Sequence, residues 1–366
     1  MKRLLCIISG MNAGGAETFL MKVYRQLDRT QYQMDFCINV PEKCFYEDEI
    51  TAMGGRIFRI PTKSQNRKEF VRHLSCLLAE ESYDYVLRIT SNAMGFWDLK
   101  IAKKAGAKIC AARSSNSADG GSWKSWLAHR VGKLLFMPYV DVKFAPSDLA
   151  AAYTFGKKNY RSGNVTILHN AVDLSVFHYD ADGRSLIRRE YGLTPDTLVV
   201  GHVGRFDLQK NHGFLLEVFS QIAEQKPNAV LLLVGKGELE PEIREKAETL
   251  GIADRVIFTG VRSDIPQILS AMDVFVFPSL YEGMPNTVIE AQATGLPCVI
   301  ADTITREADI TGLVEYLPLS DPEHWAKVAL EAAKQPRRDT RQDFLEHRYD
   351  IQSTVEDFVK LCFGEN

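Results

Sequence analysis

The sequence lacks several features that would each indicate a particular class of protein. No C-x-x-C pair occurs among its seven scattered cysteines, which argues against a disulfide framework or a zinc site. No apolar run approaches the length of a membrane span, and the run after the basic N-terminus is too short for a signal peptide. With 44 basic and 47 acidic residues, the chain lacks the positive surplus of a general nucleic-acid binder. We therefore expect a soluble cytoplasmic protein with buried free thiols.

Short apolar runs alternate with amphipathic stretches in both halves of the chain, whose 366 residues favour two domains. This alternation predicts two parallel, doubly wound α/β sheets. We expect a first domain over residues 1–180 and a second over 181–349, joined by a polar connection, Asp173–Thr197. The C-terminal segment, 350–366, is expected to form a helix that packs back on the first domain. The expected strands are Leu4–Ser9, Met34–Asn39, Arg56–Ile60, Tyr85–Ile89, Lys108–Ala112, Val142–Ala145, Val165–Leu168, Leu198–Val203, Ala229–Val234, Val256–Phe258, Val274–Phe277 and Pro297–Ala301.

Two glutamates eight positions apart, Glu282 and Glu290, form the most informative motif. They follow the apolar run Val274–Phe277, so Glu282 is expected on the loop at a strand's carboxyl end and Glu290 in the next helix. Ligands of open α/β sheets bind at that edge. Two carboxylates there suit a ligand with hydroxyl groups at two places, such as the sugar and the ribose of a sugar nucleotide.

The residues between the two glutamates predict the turn into that helix. Gly283 and Pro285 are typical of a turn, and Asn286 or Thr287 can cap the helix. We expect the segment from Gly283 through Met284 to Asn286 to contribute to the donor site.

A second motif places two cations five residues apart, Arg205 and Lys210, after the expected strand Leu198–Val203. Arginine binds phosphate oxygens in a bidentate way and lysine adds a point charge. With Gly204 beside them, they form a candidate clamp for a diphosphate whose negative charge grows as it leaves.

Glycine loops supply further candidate donor contacts. Gly14 and Gly15 lie between the first expected strand and a helix, where backbone N–H groups can bind a phosphate or simply make a tight turn. Gly235 opens a similar turn, and the turn at Val261 and Arg262 can meet a nucleobase with its backbone groups.

Seven motifs follow one another along the chain in the order in which they occur in family 4 glycosyltransferases. They resemble most the branch of that family that builds capsular and exopolysaccharides. The motifs are Gly14–Glu17, Asn170–Asp173, Gly204–Arg205, Lys210–Asn211, Val234–Gly237, Phe277–Ser279 and Glu282 with Glu290. The resemblance covers nearly the whole chain and implies a GT-B fold, two Rossmann-like domains facing across a cleft. It also implies metal-independent, anomer-retaining transfer from a nucleotide sugar.

The resemblance assigns a role to each matching position. Arg205 and Lys210 resemble the diphosphate clamp. Glu282 resembles the carboxylate that holds sugar hydroxyls, and Glu290 the ribose acceptor. The Gly14–Gly15 loop is similar to the loop that closes on the donor phosphate.

One segment departs from the family's pattern. Related enzymes often carry a histidine near the end of a strand in the first domain, facing the donor sugar. The comparable residues here are Arg113, Ser114 and Ser115, without a histidine. Arg113 could bind the donor but could not shuttle protons, because its side chain stays charged.

Two further patterns have an ordinary interpretation that we favour. Asp180 and Asp182 spell D-x-D, but in a polar connection, where a solvated turn is expected rather than a metal site. Trp123 and Trp126 open a basic, aromatic, amphipathic stretch for which we expect core packing. The alternative is a helix on the anionic inner leaflet of a membrane.

The expected function is therefore transfer of a sugar from a nucleotide-diphosphate sugar, uridine by default, to a glycan or lipid-linked saccharide in surface polysaccharide synthesis. The nucleotide sugar is a substrate, so no cofactor or metal is expected. The alternatives are a nucleotide-sugar epimerase, a phosphorylase or a noncatalytic binding protein of the same fold. A nicotinamide dehydrogenase is disfavoured because no G-x-G-x-x-G follows the first strand.

Overall fold

The computed structural model describes residues 1–12, 14–115, 123–282 and 284–365. The chain divides into two compact units, the first formed by Met1–Ala171 with Arg348–Asn366 and the second by Val172–His347. Each unit contains one sheet in which all recorded strand pairs are parallel. The two predicted parallel sheets are thus confirmed.

The first unit has a seven-stranded sheet with helices between successive strands. Its strands are β1 (Lys2–Ile7), β2 (Tyr32–Ile38), β3 (Ile57–Arg59), β4 (Tyr85–Thr90), β5 (Ile109–Ser114), β6 (Val142–Ala145) and β7 (Thr166–Ile167). Its helices are α1 (Gly15–Gln26), α2 (Glu47–Ala52), α3 (Arg67–Glu81), α4 (Phe96–Lys104), α5 (Trp123–Phe136), α6 (Asp148–Phe155) and α7 (Lys157–Arg161), with the C-terminal helix, Ile351–Phe363, added at the end of the chain.

The second unit repeats the pattern with a six-stranded sheet. Its helices are α8 (Ala181–Glu190), α9 (His212–Gln225), α10 (Glu240–Thr249), α11 (Ile265–Ala271), α12 (Asn286–Ala293), α13 (Pro322–Ala332) and α14 (Arg341–Glu346), so the C-terminal helix is α15. Its strands are β8 (Leu198–Val203), β9 (Ala229–Val234), β10 (Val256–Phe258), β11 (Val274–Phe277), β12 (Cys298–Ala301) and β13 (Val314–Leu317).

The strand order gives each sheet one topological switch point. The first sheet runs β3-β2-β1-β4-β5-β6-β7 and the second β10-β9-β8-β11-β12-β13. The order reverses direction between β1 and β4, and again between β8 and β11. Connections on the two sides of such a point leave in opposite directions, which opens a crevice at the carboxyl ends of the strands. Both sheets therefore have the strand order that opens such a crevice in α/β folds.

Alternation along the strands builds a core on each face of the first sheet. On β1, Leu5 and Ile7 pack into one cluster, whereas Leu4 and Cys6 pack into the other. The second cluster includes Phe358 of α15, whose ring lies 6.3 Å from that of Phe19 on α1. The amphipathic C-terminal stretch thus forms a helix that packs on the first unit.

Each of the twelve predicted strands overlaps an observed one, and β13 was missed. This strand reads Val-Glu-Tyr-Leu and lies at the edge of its sheet, where only Leu317 is buried. An edge strand with little buried surface leaves a weak hydrophobic pattern in the sequence.

The units meet along the chain between Ala171 and Val172, nine residues before the predicted boundary at 180. The boundary lies earlier than predicted because the connection between the units packs on the second unit. The Asp180 backbone N–H donates to Ser270 Oγ over 3.1 Å, which places the end of the connection in the second unit. The chain returns to the first unit at Arg348, because Tyr349 stacks on His169 of that unit with ring centroids 3.9 Å apart.

Helix α5 is oriented opposite to our expectation. Its buried residues are His129, Gly132 and Phe136, whereas Trp123 is 69% exposed and Trp126 47% exposed. Gly132 packs directly against the backbone of Ala93, where a Cβ would lie only 2.6 Å from the Ala93 carbonyl carbon. Only a glycine fits at this position on the inward side of the helix. The prediction that the tryptophans pack in the core is therefore wrong. Among the described residues, no helix is both long and apolar enough to cross a membrane.

The seven cysteines all lie in the described part of the chain, and none of them forms a disulfide. Six are buried, as predicted, and Cys76 is exposed.

Candidate active site

The loops that follow β8 and β11 carry the main predicted site residues of the second unit. These strands are parallel neighbours at the switch point of the sheet. Lys210 ends a short 3₁₀ turn in which the Asp207 carboxylate accepts its backbone N–H over 3.2 Å. Asn211 then adopts a left-handed conformation with φ of 54° and begins α9. The turn fixes the direction in which the Lys210 side chain leaves the loop.

Lys210 and Glu282 form an ion pair across the switch point. The Nζ atom of Lys210 lies 2.5 Å from Oε1 of Glu282, and their side chains are only 16% and 10% exposed. The same ammonium lies 4.8 Å from the centre of the Phe277 ring. Sequence analysis placed both residues in the donor site, and the structure brings them into direct contact.

Arg205 lies on the same loop but extends into solvent. Its side chain is 81% exposed, and its nearest carboxylate is that of Asp207, at 3.4 Å. Arg205, Asp207 and Tyr281 contribute to the lining of a cavity of about 510 Å³. Another cavity of this unit, of about 550 Å³, is lined by residues around 174–179 and 337–341 and by none of the predicted site residues.

Gly204 and Gly235 are required by close packing. A Cβ on Gly204 would lie 2.9 Å from Nε2 of His202 and 3.2 Å from the Lys210 side chain. A Cβ on Gly235, where φ is 138°, would lie 2.0 Å from the carbonyl oxygen of Gly204. These glycines therefore let the β8 and β9 loops approach each other and leave Lys210 room to reach Glu282.

Two histidines that sequence analysis did not single out lie behind Lys210. The His202 ring is stacked on Phe277 with ring centroids 5.2 Å apart. The centroid of the His212 ring lies 4.8 Å from that of His202, in an edge contact. Burial lowers the pKa of His212 to about 4 and that of His202 well below its usual value. Both rings are therefore neutral at pH 7 and add no positive charge beside Lys210. His202 is a single histidine in an apolar run, and His212 follows Lys210 and Asn211 without a histidine or cysteine nearby, so neither pattern gave a functional signal.

The helix that carries Glu290 begins at Asn286, as α12. Its N-cap residue is Pro285, and no side chain caps it, so the expected capping by Asn286 or Thr287 is wrong. Glu290 lies one turn after Asn286 on the same face, and both are half-buried. Met284 precedes the helix, and Gly283 lies outside the described residues.

The two residues of the predicted nucleobase turn, Val261 and Arg262, have different surroundings. Val261 is 69% exposed. The Arg262 guanidinium bonds both carboxylate oxygens of Glu190 and both of Asp264, over 2.6 to 2.9 Å. Its side chain thus ties α8 to the loop before α11, and only its backbone is left for a ligand.

The predicted residues of the first unit lie near the carboxyl ends of its strands. Gly14 is the N-cap of α1 and Gly15 its first residue. Arg113 on β5 is 1% exposed, donates to Asn170 Oδ1 over 2.7 Å and lies 3.7 Å from the centre of the Phe19 ring. Burial lowers the pKa of Arg113 to about 9, so it still carries its charge at pH 7.

The D-x-D pair lies at the start of a helix rather than in the solvated turn that we expected, because Asp182 belongs to the first turn of α8. Asp180 is the N-cap of α8, and its side chain accepts the Gly183 N–H over 2.9 Å. Within the described ranges, no group of three or more His, Cys, Asp or Glu side chains gathers closely enough to hold a metal ion.

A family model described as "Glycosyl transferases group 1" matches residues 197–335. The "Putative glycosyltransferase EpsF" of Bacillus subtilis (strain 168) is 36% identical over 363 residues, which cover 97% of this chain and 94% of that protein. The UDP-Gal:alpha-D-GlcNAc-diphosphoundecaprenol alpha-1,3-galactosyltransferase of Escherichia coli is 38% identical over 141 residues, 38% of this chain and 36% of that enzyme.

Among solved structures, Anabaena Alr3699/HepE in complex with UDP matches with a TM-score of 0.79 and 17% identity, covering 100% of both chains. At this identity the likeness establishes the fold alone, which is GT-B, as the resemblance implied.

Proposed function

The chain belongs to the group 1 glycosyl transferases, and on that premise we propose that it is a retaining, family 4 enzyme. Its proposed donor is a UDP-sugar, and its proposed acceptor is a glycan or lipid-linked saccharide of surface polysaccharide synthesis. The E. coli relative, whose name gives UDP-Gal and a diphosphoundecaprenol-linked acceptor, supports both choices. The UDP bound in HepE supports the donor.

The observation that carries this proposal is the Lys210–Glu282 pair at the switch point of the second sheet. Transfer breaks the bond between the anomeric carbon and a phosphate oxygen, so negative charge grows on the departing diphosphate. In this proposal Lys210 and Arg205, which lie on one loop, stabilise that charge. Glu282 then accepts hydrogen bonds from sugar hydroxyls, and Glu290 from the ribose.

In the retaining mechanism that we propose, the acceptor hydroxyl attacks on the face from which the diphosphate leaves. Its proton passes to a phosphate oxygen of the leaving group, so no carboxylate nucleophile is required. The two cations, rather than a metal ion, stabilise the leaving diphosphate in this proposal.

The outward face of α5 is proposed to contact an anionic membrane. Six apolar side chains on it are more than 40% exposed and follow helical spacing: Trp123, Trp126, Leu127, Val131, Leu134 and Leu135. Lys124 and Arg130 flank them, and the helix contains no acidic residue. Aromatic and basic residues on one helix complement the interface and negative headgroups of such a membrane. This contact would bring the enzyme to a lipid-linked acceptor.

A direct test combines ligand binding with product analysis. UDP should raise the melting temperature more than GDP or ADP, because ligands stabilise only proteins that bind them. Incubation with an α-linked UDP-sugar and an undecaprenyl diphosphate-linked saccharide should yield an α-linked product by NMR. A β-linked product would contradict retention. Epimerised donor without acceptor, turnover that requires inorganic phosphate, or binding without turnover would instead identify the epimerase, phosphorylase or noncatalytic alternative.

A further inference from the structure

Strand β3 forms one edge of the first sheet, and helix α3 follows it in the chain. A cavity of about 490 Å³ is lined by residues of both elements. Its lining combines apolar side chains, Ile57, Phe58 and Leu77, with charged side chains of α3 that include Arg72 and Glu80. The side chains of Ile57 and Phe58 are only half-buried. An edge strand of this kind is a place where a further chain can attach.

Four exposed residues of α3 recur at every fourth position: Lys68, Arg72, Cys76 and Glu80. Side chains four positions apart lie on the same face of a helix, so these residues form one stripe, which we call the α3 stripe. The apolar face of α3 packs in the core of the first unit. The α3 stripe is basic in its first half and acidic at its end, and Cys76 lies midway between Arg72 and Glu80.

The charges on α3 run against the dipole of the helix. Acidic side chains stabilise the first turn of a helix and basic side chains the last. Although Glu69 lies in the first turn, α3 begins with Arg67 and Lys68, and its last turn contains acidic Glu80 and Glu81 but no basic residue. This distribution destabilises an isolated helix, and a second helix that runs in the opposite direction would compensate for it.

The ion pairs within the chain leave the α3 stripe available. Arg72 pairs with Glu69 one turn away, with side chains 64% and 39% exposed, and an exposed pair of this kind contributes little to stability. Glu81 pairs with Arg56 of the sheet edge over 2.6 Å. Glu80, by contrast, forms no ion pair in the part of the chain that the structure describes. Its charge is the one that a partner can match.

A second copy of the chain has the charges that match the α3 stripe. If two α3 helices lie antiparallel with a two-fold axis near Cys76, Arg72 of each copy lies opposite Glu80 of the other. The same ion pair then forms twice, because an isologous interface uses the same patch on both copies. A partner with charge of one sign would match only half of the stripe.

We propose that the chain forms a homodimer through α3, with the two copies of the helix antiparallel and crossing near Cys76. The half-buried apolar side chains of β3 would lie at the margin of this interface and be covered by it. The dimer is independent of the transferase function proposed above.

The test measures the sedimentation velocity of full-length wild type, Arg72→Glu and Glu80→Arg over a concentration series. Each single variant places like charges opposite each other in its own dimer, which should raise the dissociation constant at least about tenfold. In an equal mixture the two variants present opposite charges to each other, so the mixture should dimerise about as tightly as wild type. Lys104→Glu, which reverses an exposed charge on α4, is the matched control and should dimerise like wild type.

Cys76 provides an independent readout of the geometry, because it is exposed whereas the other six cysteines are buried. The short thiol cross-linker bismaleimidoethane should join two wild-type chains and should not join two chains of Cys76→Ser. Arg72→Glu should form fewer cross-links although it retains the thiol. Added sodium chloride should weaken the wild-type dimer, because salt screens exposed charges.

A wild type that sediments as a monomer throughout the series would overturn the proposal. A wild-type dimer that neither single variant weakens, or that gives no cross-link through Cys76, would overturn it as well, because the dimer would then form through another face. The melting temperatures of the single variants should stay close to that of wild type. If either variant fails to fold, Arg72→Gln and Glu80→Gln take their place and must still weaken the dimer.

Discussion

The Lys210–Glu282 pair offers the sharpest test of the donor site, because its two residues are assigned different tasks. We consider Lys210→Met and Glu282→Gln, singly and together. In the free protein the pair is partly buried, with 2.5 Å between Nζ and Oε1. Removing one partner leaves a charge without compensation. We expect a loss of about 1–3 kcal/mol in the free energy of unfolding, below the cost for a fully buried pair because some solvent reaches both groups.

Turnover should respond differently. If Lys210 contacts the diphosphate, its loss removes a charged hydrogen bond of about 1.5–3 kcal/mol, which is roughly 10- to 150-fold in kcat/KM. Glu282→Gln should cost a similar factor through the sugar hydroxyls. The double variant removes both charges and should recover stability relative to the worse single variant. It should not recover turnover, because each ligand contact is still missing.

The measurements are urea unfolding and kcat/KM for the nucleotide sugar. Lys246→Met is the matched control, since Lys246 and Glu217 also lie 2.5 Å apart in the same unit but with side chains 37% and 42% exposed. It should cost under about 1 kcal/mol of stability and leave turnover unchanged. Turnover of Lys210→Met within about twofold of wild type, or restored in the double variant, would show that the pair is only structural.

Two further outcomes are expected. Burial lowers the pKa of His212 to about 4 from an unfolded value of 6.5, so the unfolded chain binds more protons between these values, and stability is lost as pH falls from 6.5 to 4. His212→Asn should reduce the loss of urea stability between pH 7 and pH 4 by about 3 kcal/mol, and an unchanged pH dependence would contradict a neutral buried ring. For the α5 face, the double variant Trp123→Ser/Trp126→Ser should sediment less with vesicles that contain phosphatidylglycerol, while its melting temperature stays unchanged. The control variant Leu280→Ser, which also removes an exposed apolar side chain, should change neither property. Equal sedimentation of wild type, the double variant and the control would rule out membrane contact through this face.

The elements that set the donor site were predictable because each has a local cause. Buried parallel strands such as β8 and β11 read as continuous apolar runs, and their bounds were predicted without error. Residues that directly follow such strands must lie at the carboxyl edge of the sheet. The proximity of Lys210 and Glu282 therefore follows from the sequence once the two strands are neighbours. Strand order itself, which makes them neighbours, was available only through the family resemblance.

What the sequence could not give depends on contacts between distant positions. The amphipathic pattern of α5 shows that one side is apolar but not which side faces the core. Gly132 against Ala93 decides that, and the tryptophans turn outward as a result. Likewise, Lys63, Arg88 and Asp98 lie on a loop, a strand and a helix, with no shared motif. They converge because the chain reverses direction between β1 and β4, the arrangement that also brings Lys210 to Glu282. Since both sheets have the same topology, each brings charged side chains from distant positions of the chain together near its own switch point.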